Sequence, residues 1–158
     1  MSEEKLMSIE EAHKHFAVKL NGLTWSLLGK KDRSRTDDET MISSAHASMF
    51  HWLQIGKPLN FQRGDWLIAR VYTVLERTES ALYHAQRCNK RTTELDLKDF
   101  DLAYNYEALA RANALAGNRE EFERNHKLAE EAGEKIAGEE DKKWFDQDLK
   151  SEPWFGMK

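Results

Sequence analysis

The chain has 158 residues, of which 33% are charged and two are proline, and its net charge is −4. This length suits one domain, expected to span residues 1–158, and the composition favours helix. The mild acidity excludes a nucleic-acid binder held by phosphate neutralisation, because such a protein needs a basic stripe. The single cysteine excludes an internal disulfide and fits a reducing compartment.

The amino-terminal stretch MSEEKLMSIEE is acidic and lacks the apolar segment of a signal peptide. No apolar run approaches the roughly 18 residues of a membrane span. We therefore expect a cytoplasmic protein with no membrane partner.

The first two predicted helices begin at capping boxes. In Ser8-x-x-Glu11 the serine side chain can accept the N3 amide while the glutamate reaches back, and Gly29 predicts the end of this helix. Thr36-x-x-Glu39 predicts the start of the second helix in the same way. The first helix carries an apolar stripe that we expect to be buried, formed by Ile9, Ala12, Phe16, Leu20, Leu23 and Leu27.

Five further helices follow from the apolar periodicity and its interruptions. Asn60 is the predicted cap of the third helix, since Pro58 before it cannot continue a helix. Gly117 separates the fifth helix from the sixth. The predicted ranges are about 61–77, 79–93, 100–116, 119–138 and 139–149.

Small residues recur at fixed distances from two helix corners, with an offset of 41 residues between the copies. The first copy reads Ala69-x2-Tyr72 … Ala81-x3-Ala85-x2-Cys88, and the second reads Tyr106-x2-Leu109-Ala110 … Gly117 … Phe122-x3-His126-x2-Ala129. Two antiparallel helices approach closely only where side chains are small. Over roughly residues 63–136 this spacing resembles the tetratricopeptide repeat, although that family's period is about 34 residues.

The resemblance implies an all-α fold: a right-handed stack of antiparallel helical hairpins, with about seven helices and a C-terminal capping helix. Trp144 and Phe145 would seal the last hairpin, and Trp154 and Phe155 would pack behind them.

The resemblance also implies a concave groove that holds a peptide or a partner helix. The residues predicted to line this groove, placed by counting from Ala69 and Ala110, are Arg63, Trp66, Arg70, Tyr104, Glu107 and Arg111. Arginines beside aromatic rings would suit an acidic or carboxylate-bearing partner. The alternative is that the arginines pair with Glu107 and that Trp66 packs in the core.

We therefore expect a non-enzymatic interaction module, such as an adaptor or regulator, that binds a peptide or protein partner and needs no cofactor. The open groove and the uncovered first hairpin also leave room for a homodimer. No glycine-rich phosphate loop and no GxSxG turn is present, so the sequence selects no catalytic residue.

The second hypothesis is a protein that binds a small molecule or a metal, or an enzyme, built around inward-facing histidines. Its candidate residues are His13, His46, His84 and Cys88. His84 and Cys88 share one helix face at a spacing compatible with one metal ion. However, the chain has no HxxxH or CxxC signature, and a buried neutral imidazole needs only a hydrogen bond. His15 and His51 are predicted to lie on the surface.

Overall fold

The computed structural model describes residues 4–158 and contains seven α-helices and no strand within that range. This confirms the prediction of an all-α protein with about seven helices. The helices are α1 (Ile9–Leu28), α2 (Arg35–Ile55), α3 (Pro58–Val74), α4 (Thr78–Glu94), α5 (Asp99–Ala116), α6 (Arg119–Glu134) and α7 (Glu139–Lys150).

The predicted cap of α1 is confirmed, whereas that of α2 is wrong by two residues. Ser8 accepts a hydrogen bond from the Glu11 amide across 3.1 Å. Helix α2 begins earlier than predicted, because Ser34 and Asp37 form the capping box instead of Thr36 and Glu39. Asp37 is held there by a 2.6 Å ion pair with Lys30, which lowers the pKa of the Asp37 carboxyl.

Helix α3 also begins earlier than predicted. It starts at Pro58, where the missing amide hydrogen costs nothing in the first turn. Asn60 lies inside that turn and accepts a hydrogen bond from the amide of Lys57 across 2.9 Å. Gly117 ends α5 with φ = 77°, a left-handed conformation that favours glycine.

The residue contacts divide the chain into two units, Met1–Gly64 and Asp65–Lys158, with the boundary inside α3. The prediction of a single domain stays a prediction. In the first unit α1 packs against α2 through small and hydroxyl-bearing residues. Thr24 and Ser44 share a hydrogen bond of 2.7 Å, and Ser48 donates one of 2.7 Å to the carbonyl of Ala17.

Half of the apolar stripe of α1 is exposed and not buried against α2. Ala17 and Thr24 are the buried residues of α1, whereas Ile9 is 80% exposed, Phe16 44% and Leu23 39%. Our expectation that this stripe is buried is therefore wrong for these three residues, whereas Ala12, Leu20 and Leu27 are half-buried. Helical periodicity identified an apolar face correctly, but the contact with α2 is made by the small side chains beside it.

In the second unit consecutive helices pack side by side, with α4 against α5 and α5 against α6, while α7 covers both α5 and α6. The small residues of the 41-residue pattern lie at these contacts. Those that are fully or almost fully buried are Ala69, Ala81, Ala85, Cys88, Ala110 and Ala129.

Helix α7 and the tail after it complete the core of the second unit. Phe145 and Leu149 of α7 are buried together with Trp154 of the tail. Gly133 of α6 lies so close to Phe145 that an added Cβ would be 2.4 Å from the ring. Trp144 points away from the core and is 56% exposed.

Candidate functional site

Five of the six predicted groove residues belong to the second unit, and three of these donate hydrogen bonds to the carboxylate of a fourth, Glu107. Glu107 of α5 accepts hydrogen bonds from the indole Nε1 of Trp66 across 3.2 Å and from Arg70 across 3.3 Å. It also accepts one from Nε of Arg111, one turn further along α5. We call Trp66, Arg70, Tyr104, Glu107 and Arg111 the Glu107 cluster.

Glu107, Arg111 and Tyr104 of the Glu107 cluster are buried, and its charged groups pair with one another. Glu107 and Arg111 are each 1% exposed. Burial lowers the pKa of the Arg70 guanidinium, and the opposite charge of Glu107 counteracts that shift. The gap between these side chains is too narrow to hold a water molecule. An external acidic ligand would therefore have to compete with Glu107 for both arginines.

The end of α7 and the tail cover the remaining donors of Arg111. One terminal nitrogen donates to the carbonyls of Ser151 and Pro153 across 2.9 and 3.0 Å, and the other donates to that of Asp148 across 2.5 Å. The guanidinium carbon lies 4.0 Å from the centre of the Trp154 ring. Arg111 therefore fixes the tail through its main chain and one aromatic ring.

Tyr104 lies at the edge of the cluster and links it to α7. Its ring contacts those of Trp66 and Phe145 edge-to-face, with centroids 5.2 and 5.0 Å away. Its hydroxyl donates to the carboxylate of Asp148 across 2.5 Å. Burial and this hydrogen bond raise the pKa of Tyr104, so the phenol stays protonated.

This geometry matches the alternative in which the arginines pair with Glu107. Arg111 is not accessible to a partner while the tail is in place, and Arg63 lies in the other unit, where it is exposed. The partner-binding role of the six residues stays a prediction.

The second polar centre of this unit is Asp65, buried on α3. It pairs with Nδ1 of His84 across 3.0 Å and with Arg91 across 2.7 Å, and Arg87 lies 3.6 Å away. Burial alone would raise the pKa of Asp65, but the hydrogen bonds from His84 and Arg91 hold it below its usual value. Asp65 thus favours its ionised form and ties α3 to α4.

The four residues of the second hypothesis do not form one site within either unit. Cys88 is buried, and burial raises the pKa of its thiol to about 12, so it is neither a nucleophile nor a ready metal ligand. His46 is exposed, and the prediction that it points inward is wrong. Among residues 4–158 no three or more His, Cys, Asp or Glu side chains are grouped to hold a metal.

His13 is instead paired with a histidine that was predicted to lie on the surface. Its Nδ1 lies 2.9 Å from Nδ1 of His51 on α2. The rotation of α1 relative to α2 decides this pairing, and the helical wheel of each separate helix carries no information about it.

An exposed apolar face lies beside this pair. We call Ile9, Phe16 and Leu23 of α1 together with Phe50 of α2 the α1 apolar face; Phe50 is 56% exposed. The Phe16 and Phe50 rings both contact His51, with centroids 5.5 and 5.6 Å away. A shallow groove continues along the two helices and is lined by Leu20, Leu23, Thr36, Glu39, Thr40, Ser43, Ser44 and Ala47.

Comparison with protein-family models, with curated proteins and with solved structures gives no match for this chain. No helix within residues 4–158 has the length and apolar character that crossing a membrane requires. The function must therefore be argued from the chain's own surfaces.

Proposed function

We propose that the protein is a non-enzymatic interaction module that binds a helical segment of a protein or peptide partner on the α1 apolar face. The observation that carries this proposal is the exposure of Ile9, Phe16 and Leu23 in one stripe. Contiguous apolar patches on a protein surface commonly mark interaction sites. Water contact with these side chains is unfavourable, and a partner that covers them removes it.

The spacing of the stripe favours a helical partner. Ile9, Phe16 and Leu23 are seven residues apart, which is about two helical turns. They therefore form a straight ridge along one side of α1. The groove lined by Leu20 and Ala47 lies next to this ridge. An amphipathic helix presents apolar residues at the same spacing and can lay them along such a surface.

The finer proposal on the fold is that residues 63–136 form tetratricopeptide-like hairpins. It is supported by the burial of the small residues at Ala69, Ala110 and Ala129. It is also supported by the contacts of Trp66 with Glu107, which are 41 residues apart and occupy equivalent positions of the pattern. Proteins of this family bind partners, which agrees with the proposed function but does not identify a surface.

The Glu107 cluster is the weaker candidate surface. An acidic partner there would need Arg111 to release the carbonyls of Ser151 and Pro153 and its stacking on Trp154. It would also compete with Glu107 for Arg70. The α1 apolar face requires no such rearrangement.

The proposal is tested by comparing the partners captured from native lysate by the wild type, by Leu23→Glu and by the double variant Arg70→Glu, Arg111→Glu. We expect Leu23→Glu to lose a partner that the wild type retains at high salt, because apolar contacts are not screened. A partner that salt removes and that only the arginine variant loses, while circular dichroism shows that variant to be folded, would assign binding to the Glu107 cluster instead. Sedimentation of the purified chain decides whether the partner is a second copy.

A further inference from the structure

In the first unit, His13 and His51 bring two metal-ligating atoms face to face. Their Nδ1 atoms are 2.9 Å apart, although the residues are 38 positions apart in sequence. Both rings are half-buried. Their remaining contacts are with aromatic rings: His13 with Phe50, and His51 with Phe16 and Phe50.

The helices hold this pair in a fixed position. The hydrogen bonds from Ser48 to the Ala17 carbonyl and between Thr24 and Ser44 set the rotation of α1 against α2. His13 and His51 lie one turn beyond these bonds on the two helices. The two imidazoles are therefore placed by the backbone contact and not by their own weak attraction.

We infer that His13 and His51 form a bidentate site for a late first-row divalent metal ion, Cu²⁺ or Ni²⁺. Imidazole nitrogen is a ligand that these ions prefer. Nitrogens on adjacent corners of a square or octahedral site with bonds of about 2.0–2.1 Å are about 2.8–3.0 Å apart. The observed separation of 2.9 Å lies in this range, so the rings need only turn until both lone pairs point at the metal.

The distance between the two Nδ1 atoms also favours Cu²⁺ and Ni²⁺ over Zn²⁺. Two ligands of a tetrahedral zinc site are about 3.3 Å apart, so zinc would need the rings to move away from each other. Cu²⁺ stands highest in the order of affinities for nitrogen ligands, and Ni²⁺ follows among the ions that prefer square or octahedral sites. Water molecules would fill the other coordination positions, since Phe16 and Phe50 beside the pair are 44% and 56% exposed.

Metal binding at the pair releases no net proton, because the displaced proton stays on the same ring. In the neutral pair one Nδ1–H donates to the lone pair of the other Nδ1. The metal takes the lone pairs of both Nδ1 atoms, and the proton of the donor ring moves through water to its own Nε2. Neither Nε2 has a hydrogen-bond partner among residues 4–158, so both can carry a proton in contact with solvent.

The experiment is a titration of the full chain with CuCl₂ and NiCl₂, followed by calorimetry and, for Cu²⁺, by electron paramagnetic resonance. The test variants are His13→Gln and His51→Gln, and the matched controls are the exposed His15→Gln and His46→Gln. We expect one saturable equivalent per wild-type chain, about tenfold or more weaker binding in each test variant, and unchanged binding in the controls. Absence of saturable uptake by the wild type, or equal weakening in all four variants, would overturn the inference.

A measurement on the wild type alone covers the case in which the test variants do not fold. Histidines are modified with diethylpyrocarbonate in the presence and absence of NiCl₂, and the modified sites are mapped by mass spectrometry. We expect the metal to protect His13 and His51 while His15 and His46 stay reactive. Equal protection of all four, or protection of none, contradicts the site.

Discussion

The indole Nε1 of Trp66 donates a hydrogen bond to Oε2 of Glu107 across 3.2 Å, and so joins α3 to α5 through a buried carboxylate. The same carboxylate receives Arg70 from α3 and Arg111 from α5. One acidic side chain thus pairs with two guanidinium groups in the interior of the second unit.

Removal of this carboxylate should be costly. Glu107→Ala leaves Arg70 and Arg111 in a buried site without their shared counter-charge, and we expect a loss of about 3–5 kcal/mol in the free energy of unfolding. Urea denaturation measures it. In the control Glu123→Ala, the lost carboxylate lies on the surface near Arg119, and the change should stay within about 0.5 kcal/mol. Equal midpoints for the two variants would show that the Glu107 cluster carries no stability.

Trp154 and Trp144 should differ sharply in how much each contributes to the free energy of unfolding. Trp154 is fully buried, stacks on Arg111 and donates from its indole to the Leu149 carbonyl across 3.2 Å. We expect Trp154→Ala to cost about 3–5 kcal/mol. Trp144→Ala, at an exposed position of α7, should change the free energy of unfolding by less than about 0.5 kcal/mol. If Trp154→Ala is as mild as its control, the tail is not part of the core.

The helical glycines Gly22 and Gly133 allow a test of packing, because the same substitution to alanine is made at both positions. Alanine favours helix over glycine by about 0.8–1.0 kcal/mol, and Gly22 of α1 has no atom within 4 Å of an added Cβ, so Gly22→Ala should stabilise. At Gly133 the Cβ would be 2.4 Å from the Phe145 ring, and Gly133→Ala should destabilise by about 1–3 kcal/mol. Thermal unfolding of both variants gives the signs. Stabilisation by Gly133→Ala would mean that α7 does not pack on α6 as described.

Much of the fold could be predicted because its signals are local. Ser8, Gly29 and Gly117 mark helix ends through the geometry of their own turns. The small residues at Ala69 and Ala110 mark close helix contacts, because only small side chains fit there. Counting from these two residues also identified the positions that converge on Glu107.

The remaining features depend on relations that a single helix does not encode. An apolar stripe shows which face avoids water but not whether anything covers it, so the exposure of Phe16 was missed. Arg111 donates hydrogen bonds to main-chain carbonyls of the tail. Every residue has such a carbonyl, so the sequence does not show which ones Arg111 binds. His13 meets His51 because of the rotation between α1 and α2.

The stability of the second unit should fall as the pH decreases through the histidine range. Burial against Phe122 and Trp154 lowers the pKa of His126, whose Nε2 has no hydrogen-bond partner. At pH values between this lowered pKa and the unfolded value of about 6.5, the unfolded chain binds more protons than the folded chain. The contribution of His126 to stability is therefore complete above about pH 6.5 and declines below it.

Urea midpoints from about pH 7.5 to about pH 5.5 test this pH dependence. The decline should be smaller in His126→Asn than in the wild type, since the variant lacks the titrating group. The exposed control His46→Gln should retain the wild-type decline. A decline of the same size in His126→Asn assigns the pH dependence to another group.

The central claim, that the α1 apolar face binds a partner, is tested most directly by site-specific photo-crosslinking in native lysate. Benzoylphenylalanine replaces Phe16 in one version of the protein and Tyr83, which is 53% exposed on α4, in a control version. We predict a discrete adduct from position 16 that Leu23→Glu abolishes and that high salt does not, with no such adduct from position 83. Absence of an adduct from position 16, or the same adducts from both positions, would contradict the claim.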